Sequence, residues 1–125
     1  METMTKELPK QKKHTIDASG RAIGRIASEA AKALMGKMHA DYTPNIYSNV
    51  QVIVTNASKI YTRERKRTQK IYTTYSGHPG GQKRESLSNL NARKGYGEAV
   101  RRAVQRMLPN NTMRVRRMKS LIISE

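Results

Sequence analysis

The chain has 125 residues and carries 25 Lys and Arg against 9 Asp and Glu, a formal net charge of +16 with a pI near 10.6. That length fits one domain, or one domain with tails, and colloidal solubility asks only for a net charge of roughly 2–8, so the surplus points to a polyanionic partner. The lack of cysteine excludes disulfides and thiolate metal sites and fits a reducing cytosol, and no apolar run approaches the roughly 18 residues that span a bilayer.

The N-terminal stretch METMTKELPKQKKHT has no apolar segment of a signal peptide. It holds Glu2 and Glu7 and no Arg, unlike a transit peptide. Residues 1–13 read as a flexible basic extension and 14–125 as a single domain. From His14 a short strand runs to Asp17-Ala18, and Asp17 or Ser19 is placed to cap a helix starting near Arg21. Ile23, Ile26, Ala27, Ala30 and Leu34 recur at three and four residues on one helical face, with Arg21, Arg25, Glu29 and Lys32 largely opposite. Gly36-Lys37 stops the helix.

A polar stretch containing Pro44 leads to QVIVTN at 51–56, where Val50, Val52, Ile53 and Val54 form a nearly continuous β-branched run. Such a run suits a strand covered on both faces, and strand-helix-strand order predicts a parallel pair. QKIYTTY at 69–75 has the propensity for another strand, and the charged connection before it, KIYTRERKRTQK, is expected to project. SGHPGGQK at 76–83 is a turn by composition. A second amphipathic helix is expected from Glu98 to Leu108, with Val100, Ala103, Val104 and Met107 inward and Arg101, Arg102 and Arg106 outward, ended by Pro109. TMRVRRMKS forms a basic turn or short helix before a last strand, SLIIS. The alternation defines an α/β fold. Phe and Trp are absent, so Ala, Ile, Val, Leu and Met must build the core, helped by six Tyr.

Catalytic motifs fail on spacing. Gly20 and Gly24 have three residues between them rather than four and are followed by Arg25-Ile26, so they are no phosphate loop. Gly95-Tyr96-Gly97 has Val100 where a dinucleotide fingerprint needs its third glycine. His14, His39 and His78 are scattered, without metal-ligand spacing, so no metal, cofactor or small-molecule substrate is expected. Asp17 fits a helix-start carboxylate better than a general base.

The basic clusters carry the chemistry. Between residues 42 and 124 there are 17 Lys and Arg but only three acids, Glu64, Glu85 and Glu98. Arg63, Arg65, Lys66, Arg67 and Lys70 lie within eight residues, flanked by Tyr61 and Tyr72, a mixture suited to phosphates and to an unpaired base. A solvated charge run is the plainer alternative, but one glutamate among five cations argues against it. His78-Pro79-Gly80-Gly81 lacks bulk, so its backbone N–H groups can approach a phosphate, although an ordinary tight turn has the same composition. Arg101, Arg102 and Arg106, followed by Asn110, Asn111, Arg114, Arg116 and Arg117, make the second patch, with Glu98–Arg102 the only balancing pair at four-residue spacing. Arg21 and Arg25 on the first helix and Lys37 at its end join the RNA-facing candidates. Nucleic acid is the expected partner, RNA ahead of DNA.

IDASGRAIGRIASEAAKALMGK, DYTPN, VIVTNASKI, KIYTTYSGHPGGQK and AVQRMLPNN, in that order, resemble family thirteen of the large-subunit ribosomal proteins. The likeness runs from about Ile16 to Ser124, and between Gly36 and Val50 it follows the bacterial and organellar branch. It implies a three-layer α/β/α single domain with a small, mainly parallel sheet, and a role in binding large-subunit rRNA early in assembly beside neighbouring ribosomal proteins. Carried over by position, it points to Lys66, Lys70, Ser76, Gly77, Gly80, Gly81, Lys83, Asn110, Asn111 and Arg114. The chain departs from the family where His14-Thr15 stand in place of a Trp, Ser48-Asn49 in place of Gly-Asp and Arg106 in place of a Gly. A glycine expected in the basic connection appears as Arg63 or Glu64, and the family's later His-Pro-His segment has no counterpart before Glu125. A DNA architectural protein, a messenger-RNA regulator and a small phosphate-ester enzyme are the rival readings.

Overall fold

The computed structural model describes residues 12–125, so most of the expected extension over 1–13 lies outside the described residues. Lys12 and Lys13 already belong to the first strand, β1, which runs Lys12–Asp17 rather than starting at His14. The helix α1 (Ile23–Met35) follows, then β2 (Val50–Thr55). A single 3-10 turn (Ala57–Lys59) leads to α2 (Glu64–Gln69), the hairpin strands β3 (Ile71–Tyr75) and β4 (Gln82–Ser86), and the helices α3 (Leu87–Lys94) and α4 (Gly97–Met107). A short α5 (Met113–Lys119) and β5 (Leu121–Ile123) complete the described chain.

Two sheets result. β1, β2 and β5 form a parallel sheet with β2 in the centre; Ile16 lies opposite Val54, and Val52 opposite Leu121. β3 and β4 form a separate antiparallel pair with Tyr72 opposite Glu85. The chain is thus a single α/β domain with a small, mainly parallel sheet, as expected.

Side-chain alternation sets the layers. Ile16, Val50, Val52, Val54 and Leu121 point to one face and pack with Ile26, Ala27, Ala30 and Leu34 of α1 and with Val100 and Val104 of α4. Small Ala side chains let the helix axes come close while still excluding water. Beyond α1 and α4 a second cluster joins Ile23 and Ala99 to Tyr72, Leu87 and Leu90. The stacking order is therefore sheet, then α1 with α4, then the hairpin with α3. The opposite face of β2 is only half covered at Gln51, Ile53 and Thr55, while Thr15 and Ile122 beside it are exposed. This corrects the expectation of a β2 covered on both faces: a β-branched run records propensity as well as burial.

The start of α1 also differs. Asp17 Oδ1 accepts the Ser19 N–H and the Asn56 side-chain amide, each at 3.0 Å, so it ties the ends of β1 and β2 together and does not cap a helix. Ala22, in an extended conformation, precedes α1 without a side-chain cap. The stop at Gly36 is as expected: φ is +82°, its N–H bonds the Ala33 carbonyl, and the Lys37 N–H bonds that of Lys32. A Cβ there would meet Ser48 Oγ at 2.6 Å, and that hydroxyl donates to the Leu34 carbonyl. Met107, expected inward on α4, is exposed, because the helix ends there and Leu108 turns into the core instead.

Candidate nucleic-acid interface

The charged connection that sequence marks as projecting is a helix. Arg63 precedes α2 in an extended conformation, and Arg65, Lys66 and Arg67 follow Glu64 in it; every α2 residue is exposed. Six residues of isolated, like-charged helix are unstable in water, so α2 depends on its packing beside α3. That packing aims its C-terminal end at α4. Lys66 and Lys70 from α2 and its cap, and Arg102 and Arg106 from α4, line one groove of about 240 Å³ over Tyr72, with Gly24 and Met107 at its edges. Two patches more than thirty positions apart in sequence thus become one surface.

Tyr72 does not offer a free aromatic face. It is 8% exposed, its ring lies in the second core cluster, and Lys70 Nζ and the Arg102 guanidinium sit 5.6 and 5.3 Å from the ring centroid. Burial pushes the phenol upward from its ordinary value, while Arg102 and Arg106 pull it partly back. Its role is to hold two cations over a rigid platform. Arg102 is also fixed by Glu98 Oε1 at 3.2 Å, one helical turn earlier.

A second groove of about 740 Å³ shares Tyr72 and Arg102 with the first and continues along β4 and α3 past Lys83, Arg84, Arg93 and Lys94. Arg84, Arg93 and Lys94 were missed in the sequence. Arg84 stands beside Lys83 on a strand that starts in the last two residues of the expected turn and runs past it, and the other two lie on α3, whose apolar pattern is too short to register. Arg93 donates to both Glu85 oxygens at 2.8 and 2.7 Å, which holds that carboxyl below its ordinary value.

The glycine turn closes the hairpin. Gly77 and Gly80 have φ of +87° and +73°, which only glycine takes without strain, and the Gly81 N–H bonds the His78 carbonyl at 3.0 Å. A side chain at Gly81 would strike the Ser76 hydroxyl. Ser76, Gly77, His78 and Gly80 are exposed and Gly81 half-buried, so the turn presents backbone to the outside, with Lys83 on the strand that follows.

The other candidates are dispersed. Arg25 is exposed on α1 next to Gly24, near the first groove. Arg21 is half-buried and donates to Glu29 at 2.7 Å; that bond, with His14 adding to it, holds the Glu29 carboxyl low. Lys37 lies beyond the far end of α1, roughly 20 Å away along the 13-residue helix, with Tyr42 6.0 Å from its amine. Asn110 and Asn111 are exposed in the link between α4 and α5, and Arg114 is half-buried. Arg117 is 2% exposed, with its Nε lacking a partner; it sits in the interior, contrary to its expected place on the surface patch. Its neighbour Arg116 stacks on Tyr47 at 4.3 Å.

Among the described residues no group of three or more His, Asp or Glu could hold a metal ion, and no helix is long and apolar enough to cross a membrane. What the arrangement offers is a row of clustered cations of the kind suited to phosphates.

Comparison with known proteins follows the same direction. The profile of the family described as "Ribosomal protein L13" matches residues 11–124. The chain is 44% identical over 100 residues to large ribosomal subunit protein uL13 of Microchaete diplosiphon, covering 80% of this chain and 66% of that relative. The namesake from Picosynechococcus is 43% identical over 103 residues, covering 82% and 68%. That of Thermotoga maritima is 40% identical over 124 residues, covering 95% and 80%. The aligned chain therefore spans about two thirds of the length of the first two and four fifths of the third.

Proposed function

Since the chain belongs to the ribosomal protein L13 family, one of structural proteins and not of enzymes, we propose that it is a constituent of the large ribosomal subunit that binds large-subunit rRNA and supports early subunit assembly. The observation that carries the reading is the groove in which Lys66 and Lys70 meet Arg102 and Arg106. Arg102 is held by Glu98, and both it and Lys70 lie over the Tyr72 ring, so part of the side-chain ordering that binding requires is already met. The glycine turn adds backbone donors that need no particular base. Contacts of this kind neutralise phosphates of several RNA helices while the α/β body fixes their relative positions; they supply affinity and register more than sequence choice. Neighbouring ribosomal proteins complete the surroundings, and the protein works as part of the ribosome, in the cytoplasm or in an organelle.

Engagement of about six to ten phosphates makes affinity fall by roughly 10³–10⁵ between low and near-physiological salt. The direct test is sedimentation of a native lysate through a sucrose gradient in magnesium buffer. Stoichiometric migration with large subunits, retained through a moderate salt wash, is the expected result. Recovery at the top of the gradient, or with chromosomal DNA, overturns the proposal.

A further inference from the structure

Apart from the basic grooves, the fold has an open cavity of about 290 Å³ between the start of α1, the 3-10 turn, α2, α3 and the α3–α4 link. Its volume lies at the small end of ligand clefts, which run roughly 300–1,000 Å³, and so suits a fragment with the bulk of one heterocycle. Ile23 and Ile60 give it apolar walls, and Ser88 adds a hydroxyl. Asn91 contributes a side-chain oxygen that is fully buried and has no hydrogen-bond partner. A buried acceptor left unpaired is costly, which makes it a sign of a missing donor. Among the lining residues that reach outside are Tyr96, 46% exposed, and Arg67 of α2.

We propose that this cavity receives one unpaired nucleobase of the bound RNA, an inference that rests on the RNA-binding reading above. The base enters with an N–H of its edge donated to Asn91 Oδ1. Tyr96 stacks on the ring at the mouth, and Arg67 meets the adjoining phosphate. A slot of mixed polarity, with apolar walls, an amide and one aromatic, matches the stacking and edge hydrogen bonds by which an extruded base is recognised, and a base already unpaired leaves its helix at little cost. The site would therefore add sequence preference to a surface that otherwise reads phosphates.

The test is chemical probing of large-subunit rRNA in complex with the full chain, following backbone cleavage and base modification together. The expected result is a single nucleotide protected on its base edge. Asn91→Leu, which removes the orphan acceptor at nearly constant volume, abolishes that protection and weakens binding about tenfold, while backbone protection persists. Tyr96→Leu, an exposed substitution, does the same, and circular dichroism shows both variants folded. Titration of the labelled chain with AMP, CMP, GMP and UMP should shift the Asn91 side-chain amide resonance for at least one of them. If base protection and affinity are unchanged in both variants, or all four nucleotides leave that resonance in place, the cavity holds only solvent and the inference fails. Absence of backbone protection with the unaltered chain overturns the RNA-binding reading itself.

Discussion

The two halves of the domain are held by different forces. Around the parallel sheet, α1 and α4 bury Ile16, Ile26, Leu34, Val52, Val54, Val100 and Val104 almost completely. Beyond those helices, α2, the hairpin and α3 share a much smaller cluster of Ile23, Tyr72, Leu87, Leu90 and Ala99. Yet this thinner half presents Arg63 to Lys70, Lys83, Arg84, Arg93 and Lys94 to the outside. Charge is thus concentrated where apolar burial is least able to oppose its self-repulsion. The lesson is that the sheet half supplies most of the apolar burial, while the hairpin half carries charge that a polyanion would neutralise.

The most forceful way to probe that contrast is truncation in the larger core. Ile26→Ala, at a fully buried position, should destabilise the free protein by about 2–5 kcal/mol in urea titration, enough to unfold much of it. Inorganic polyphosphate should rescue this variant less well than the equally buried Leu90→Ala, because the ligand grips the half in which Leu90 lies. Equal rescue of the two would break the division proposed here.

Removing the groove cations isolates the electrostatic side. With Lys66, Lys70, Arg102 and Arg106 all changed to Gln, each lost phosphate contact should reduce the salt slope of RNA binding by roughly 0.7–0.9, or about 3 for the set. The melting temperature without RNA should hold steady or rise. A fall of several degrees would mean that the groove contributes packing rather than charge.

Gly77→Ala is a finer probe. Open space surrounds the glycine, so the added methyl meets only the strain of a left-handed residue, about 1–2 kcal/mol. Amide exchange should quicken in β3 and β4 and stay unchanged in β1 and β2. Uniform acceleration would show the halves to be one cooperative unit.

The smallest expected effect comes from the carboxylates. Glu29 and Glu85 are held below the ordinary 4.5 by hydrogen bonds from Arg21 and Arg93. A depressed folded pKa contributes stability above the unfolded value, and that contribution disappears as pH falls through the folded one. Stability should therefore decline as pH drops below about 4.5, and Glu29→Gln should flatten the decline, as followed by thermal melts at stepped pH.

Much of the sheet half was legible in the sequence because its signals are periodic and long. α1 and α4 repeat apolar residues over three turns or more, and β2 is rich in valine. The hairpin half was harder to read. α3 offers only Leu87 and Leu90 to a helical pattern, and β4, QKRES, has no β-branched residue, so it is a strand through its pairing with β3 rather than through propensity. Of the candidate site, the cations were visible but their partition was not. Tyr72 and Arg117 look like surface groups by type, and only the packing of distant segments puts them inside. The approach of Lys66 and Lys70 to Arg102 and Arg106 depends on α3, the element the pattern hides.

One consequence of the sheet's register concerns the order of folding. β3 finds β4 across a short turn, whereas β2 must find β5 some 70 positions along the chain, as in the bond from Ser124 Oγ to the Val54 carbonyl. Closing so long a loop precedes any reward from the contact, and entropy makes such steps slow. The hairpin is therefore expected to form in microseconds, well before β5 docks at the edge of β2. During that interval the apolar flank of β2 stays open to other chains. The length of that interval, rather than final stability, should then set how readily this basic protein aggregates as it refolds.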